Sequence, residues 1–107
     1  MRYFIVSFTI STQDNYQEVW QSLADEIKLL SVGNYSDETT SFFAFKADMT
    51  VSNVLHRLYC NTQINAQRDK LIVVDITNNE HAYIGITYPT ILSNALGTTQ
   101  VKVIPSS

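Results

Sequence analysis

Only one cysteine, Cys60, occurs in the 107 residues. An internal disulfide is therefore impossible, and a lone thiol fits a reducing compartment, so the expected location is the cytoplasm. Glycine and proline are scarce too, at three and two residues. That excludes collagen-like and low-complexity sequence and leaves little material for long irregular loops. No repeat or linker interrupts the chain, and a single domain over 1–107 is expected. No apolar run approaches the roughly 18 residues of a membrane span. The apolar opening RYFIVSFTI is short, is broken by Ser7 and Thr9 and precedes no small-residue cleavage site, so it reads as a strand rather than a signal segment.

Charge is also in short supply. Asp, Glu, Lys and Arg make up 16% of the chain, against about a quarter in an ordinary globular protein. With 45% hydrophobic residues, this excludes a disordered tail and implies that a partner covers part of the surface. The net charge is −3, and the seven basic residues are scattered. The nearest approach to a basic cluster, Arg68-Asp69-Lys70, carries its own counter-charge. Affinity for nucleic acid comes largely from cations that displace counterions at phosphates, so this balance disfavours strong nonspecific binding unless a dimer gathers basic residues from two chains. Missing as well are a glycine-rich phosphate loop, a GxSxG elbow and an HExxH helix.

What is present is a clear succession of periodicities. YFIVSFTI (3–10) is β-branched and aromatic, a strand with Phe4, Val6, Phe8 and Ile10 on one face and Tyr3, Ile5, Ser7 and Thr9 on the other. Tyr16, Val19, Trp20, Leu23, Ile27 and Leu30 then follow helical spacing, with Ser11, Thr12 or Asp14 as the cap and Gly33 as the stop. Residues 33–48 read as a hairpin, with a short strand at 34–36 and a longer one at 40–47 whose Phe43 and Phe45 alternate against Phe42, Ala44 and Lys46. A second helix, capped by Asp48 or Thr50, carries Val51, Val54, Leu55 and Leu58. LIVVDI (71–76) is a strand; a short strand at 82–86, a helix at 90–96 and a strand at 101–104 end the chain. The order predicts an α+β, ferredoxin-like βαββαβ fold: an antiparallel sheet with two helices on one face, a core at about 2–86 and a C-terminal extension over 87–107.

A sheet covered on one side should be polar on the other. Here Leu71 and Val73 on one face and Ile72, Val74 and Ile76 on the other are all apolar, and Tyr3 and Ile5 extend the pattern. Such a patch needs a cover, and a second copy packed about a two-fold axis supplies one. A homodimer is expected, with Tyr3, Ile5, Leu71 and Val73 at its interface.

YFIVSFTI, the helix after it, the phenylalanine-bearing hairpin and DKLIVVDIT with an aromatic strand behind it together resemble the small CRISPR-associated endoribonuclease-like family. These are ferredoxin-fold subunits of spacer acquisition, with stand-alone relatives. The resemblance covers residues 2 to 86 and rests on element order and strand texture. It implies a dimer through the open sheet face, with the last strand, hence Val101 and Val103, crossing to the partner. It also implies a metal-binding aspartate at the end of the first strand, where two copies would hold a hard divalent cation that activates water. The matching position here is Thr9, whose hydroxyl brings no charge.

Asp75 is the carboxylate available to replace it, and with Thr9 it forms the set of candidate catalytic positions. The alternative role for Asp75 is structural: a strand-end carboxylate accepting hydrogen bonds from Thr77, Asn78 or Asn79. His56 and His81 lack partners at metal spacing, and His56 with Cys60 supplies two ligands, short of a closed zinc site. Both histidines are expected at the surface or partly packed, and Cys60 as a small buried hydrophobe. Trp20, Tyr16 and Phe42, Phe43 and Phe45 are assigned to core packing rather than base stacking, since Lys46 alone accompanies the phenylalanines. The preferred function is a noncatalytic homodimeric module that binds a protein partner, or nucleic acid with a protein's help, without cofactor or metal. The alternative is a divalent-metal-dependent nuclease, for which magnesium would be required.

Overall fold

The computed structural model describes residues 1–38 and 41–101. Its elements run β1 (Arg2–Thr9), α1 (Tyr16–Leu30), β2 (Tyr35–Ser36), β3 (Phe42–Ala47), α2 (Val51–Cys60), β4 (Lys70–Asp75), β5 (Glu80–Ile84), α3 (Pro89–Leu96) and β6 (Thr99–Gln100). The fold is α+β. All six strands form one sheet in the order β2-β3-β1-β4-β5-β6, antiparallel except for the parallel β5–β6 pair.

β1 lies between β3 and β4, and Val6 stands opposite both Phe43 and Val73. Residues directly opposite one another share a face. Phe4, Val6, Phe8, Phe43, Phe45, Leu71, Val73, Ala82 and Ile84 therefore point one way, and all are buried. α1 and α2 cover this face with Val19, Leu23, Ile27, Val54, Leu55 and Leu58. Phe4 stacks on Phe45 and Phe8 on Phe43, with centroids 5.5 and 5.6 Å apart, while Trp20 of α1 meets Phe43 at 5.9 Å. Removing such a side chain from water is worth about 1.5–3 kcal/mol. The two helices are tied together by Glu26, whose Oε2 accepts from Arg57 Nε at 2.9 Å and Asn61 Nδ2 at 3.1 Å.

Several boundaries differ from the sequence expectation. α1 begins at Tyr16 behind Asn15, not behind Ser11, Thr12 or Asp14, and no side chain caps it. At α2 the choice falls on Thr50, whose Oγ1 accepts from Asn53 N at 3.1 Å. The last strand starts at Thr99 rather than 101, because Thr99 N donates to Asn79 O and Val101 N to His81 O, each at 2.8 Å. Val103 and the rest of the expected 101–104 strand beyond Val101 lie outside the described residues, as does Thr40 at the start of the expected 40–47 strand.

The expectation of two helices on one face holds for α1 and α2, and α3, in the C-terminal extension, lies on the other face. His81 stands opposite Val74, on the face away from α1 and α2, and Ser93 of α3 reaches its ring. α3 thus lies over the β5 end of the second face, although none of its own residues is buried.

The close of β5 depends on Gly85, at φ +72°, where a Cβ would collide with the backbone oxygen of Asp69. Gly85→Ala should therefore cost about 2 kcal/mol or more, measured as a lower urea midpoint with an unchanged m-value.

Candidate functional site

The feature with the strongest claim on function is the sheet face that α1 and α2 do not cover. Its centre is Ile5, with Ala44 and Val74 as cross-strand neighbours, flanked by Tyr3, Phe42, Ile72 and Ile76. Tyr3 is 56% exposed and Ile76 50%; Ile5, Phe42, Ala44, Ile72 and Val74 are half-buried. Among the described residues, the charged strand residues on this face are two lysines. Lys46 stands opposite Tyr3 and Lys70 opposite Thr9, at opposite ends of β1, so an apolar middle lies between basic ends. A groove of about 620 Å³ opens beside it, lined by Tyr3, Val32, Tyr35, Ala44, Lys46 and Ile76 among others.

The interface expected from the sequence needs correcting at two residues. Leu71 and Val73 are fully buried beneath the helices, opposite Phe8 and Val6, and belong to the core. The apolar open-face residues of β4 are Ile72 and Val74, with Ile76 just beyond. Tyr3 and Ile5 do lie on the open face. Val101 is half-buried beside β5 and packs against the core.

Asp75 shares the buried face with Leu71 and Val73, so it does not approach the open face. It is fully buried at the end of β4. Arg2 Nη1 donates to its Oδ2 at 3.0 Å and Asn78 N to its Oδ1 at 3.0 Å. Arg2 also lies 3.5 Å from Glu80. Both carboxylate oxygens are thus engaged in closing the β4–β5 turn and holding the start of β1. Thr9 is exposed on the open face, far along β1 from Asp75, which pairs with Phe4 at the strand's other end. The structure does not bring the two candidates together, and no group of three or more His, Cys, Asp or Glu with metal-binding geometry occurs among the described residues.

A second buried carboxylate, Asp69, came from the charge cluster read in the sequence. Burial works to raise its pKa. Hydrogen bonds from Arg68 and from the backbone N–H groups of Ser11 and Asn65, with the charge of Arg68, outweigh that and hold it below the ordinary carboxylate range.

His81 is the residue that sequence reasoning misplaced most. It is fully buried, where a surface or partly packed position was expected. Thr98 Oγ1 lies 2.8 Å from Nδ1 and Ser93 Oγ 3.3 Å from Nε2, and Tyr83 stacks nearby with centroids 6.5 Å apart. A neutral imidazole offers one donor and one acceptor, and a hydroxyl satisfies either. Desolvation pushes its pKa down. The imidazole therefore fastens α3 and the approach to β6 onto β5. Trp20, Tyr16, Phe43 and Phe45 lie in or against the core, as expected; Phe42 does not, because pairing with Ser7 turns it to the open face, and Cys60 is exposed rather than buried.

Compared with protein-family models, curated proteins and solved structures, the chain matches none.

Two outcomes follow from the buried groups. Asp75→Ala strands the Asn78 N–H and removes the nearer of the two carboxylates beside Arg2, and should cost about 1–3 kcal/mol in a urea titration. Loss of a metal-dependent nuclease activity in that variant, with stability intact, would instead make Asp75 catalytic. For His81, the folded state holds the neutral form while the unfolded chain takes up a proton below about pH 6.5. Its contribution is thus complete above that pH and declines as pH falls toward the lowered folded value. The wild type should lose stability across that window, and His81→Gln should flatten the curve.

Proposed function

We propose that the chain is a noncatalytic interaction module that pairs with a second copy of itself through the open face of its sheet. The observation that carries this reading is the contiguous apolar surface around Ile5, Ala44, Ile72 and Val74, rimmed by Lys46 and Lys70. An apolar centre inside a polar rim is the ordinary anatomy of a protein interface. A two-fold axis near Ile5 would lay each apolar centre on the other and leave the lysines of both copies at the edges, in water. A further protein partner belongs to the same proposal. Tyr88, just before α3, and Ile91 and Leu96 within it, 68%, 65% and 37% exposed, add apolar contact area outside the sheet centre.

Residues 2–86 hold a ferredoxin-like βαββαβ core with β5 added beside it, and α3 and β6 belong to the extension that follows. The strand order β2-β3-β1-β4, with α1 and α2 on one face, supports it. A distant relation to the CRISPR-associated endoribonuclease-like family is included, supported by element order alone. The noncatalytic form of the proposal draws on Thr9. It stands where that family's aspartate would, and its cross-strand neighbour is Lys70. A lysine at the paired position adds positive charge on that side of the strand, and a hydroxyl brings none of the negative charge a hard divalent metal needs.

Light scattering on the purified chain at micromolar concentration should give twice the chain mass. Ile5→Lys should halve it while the far-ultraviolet circular dichroism stays the same, because Ile5 points away from the core. A wild type of single-chain mass overturns the proposal.

A further inference from the structure

α3 lies on the second face of the sheet without sinking any residue into the fold, since none between Pro89 and Leu96 is buried. The strand behind it is slight. Thr99 N donates to Asn79 O and Val101 N to His81 O, each at 2.8 Å. Gln100 reaches Tyr83 at the surface. The buried link is His81, whose ring lies between Thr98 Oγ1 at 2.8 Å and Ser93 Oγ at 3.3 Å. A helix of eight residues is unstable alone in water, so α3 persists only while it is docked.

The His81 ring sits where a positive charge finds nothing to oppose it. α3 and β6 carry no charged residue. β4 turns Ile72 and Val74 to this face, and its Lys70, at the far end of the strand, is itself a cation. Within β5, Tyr83 stacks beside the ring, while Glu80 points to the opposite face, toward Arg2. The hydroxyls of Ser93 and Thr98 can turn to accept from a protonated ring, so hydrogen bonding survives protonation. The charge itself stands desolvated and without a counter-ion, which is costly. Desolvation accordingly pushes the imidazole pKa down.

We propose that α3 and β6 form a strap that protonation of His81 releases, leaving β1 to β5, α1 and α2 folded and uncovering the β5 end of the second face. The detached ring is solvated and takes up its proton near the ordinary histidine value, about pH 6.5. Closure is therefore favoured above that pH, and the open fraction grows as pH falls through it. The ground that α3 gives up adjoins Val74 and Tyr83, so release extends the apolar surface around Ile72 toward β5.

Hydrogen exchange of the full chain, corrected for the intrinsic rates of free amides, tests this. The amides to follow are those of Leu92, Gly97, Thr99 and Val101, which donate to Tyr88, Ser93, Asn79 and His81. Their opening should rise about tenfold between about pH 7.5 and about pH 5.5, while amides of α1 and α2 keep their protection. His81→Gln, polar but with no proton to gain, should remove the rise. Ser93→Asp sets a carboxylate beside the ring to pair with the imidazolium, and should suppress opening at the acid end. Every bond followed lies within one chain, so the result reads alike from a monomer or a dimer. Exchange at these amides that ignores pH would overturn the proposal. So would an equal rise in His81→Gln or Ser93→Asp, or a parallel rise in α1 and α2, which would mean unfolding of the whole domain.

Discussion

A strand hydrogen-bonded along both edges cannot set its side-chain directions independently of its neighbours. β1 meets β3 on one side and β4 on the other, so its pleat dictates theirs. With Val6 opposite Phe43 and Val73, every second residue of all three strands is committed to the helices, and the residues between are committed to the other face. A slip of one residue in either pairing would drive Phe43 or Val73 out of the core and bring Ala44 or Val74 in. The stacked Phe4–Phe45 and Phe8–Phe43 pairs hold the register on one side. On the other, Arg2 and Asp75 clamp the ends where β1 begins and β4 stops.

This dependence explains what could be read from the residues and what could not. Within β1 the inward face was legible, because Phe4, Val6, Phe8 and Ile10 alternate with Ser7 and Thr9. Within β4 it was not: Leu71 and Val73 are no more apolar than Ile72, Val74 and Ile76. Only the pairing of Val6 with Val73 decides between them, and cross-strand register leaves no mark on local composition. The strand-end contact of Asp75 was foreshadowed by the Thr-Asn-Asn that follows it, where Asn78 supplies the bond. Arg2, 73 residues away, was beyond any local reading. His81 was missed for a related reason. Its two hydroxyl partners, Ser93 and Thr98, come from a helix and a turn that meet it only after α3 has folded back across the sheet.

Among the described residues, four that are polar or charged, Glu26, Asp69, Asp75 and His81, are buried at the margins of an otherwise apolar core. Among the described residues no buried side-chain nitrogen or oxygen lacks a partner. Each group joins elements distant in sequence: Glu26 ties α1 to α2, Asp69 ties the loop before β4 to the end of β1, Asp75 ties β4 to β1, and His81 ties β5 to α3. Apolar contacts make the layers adhere. These directional contacts fix how the layers are set, since a shift of either partner would leave a desolvated polar atom without its bond.

The central position of β1 also has a consequence for synthesis. β1 precedes both of its neighbours in the chain, and as the chain leaves the ribosome its apolar residues have nothing to pair with until β3 and then β4 have been made. Through that interval both of its edges and both of its faces are open to other chains, the condition under which a nascent strand aggregates. Closure of the sheet must wait for β4, so the last-made strand of the central trio is the one that ends the exposure of the first.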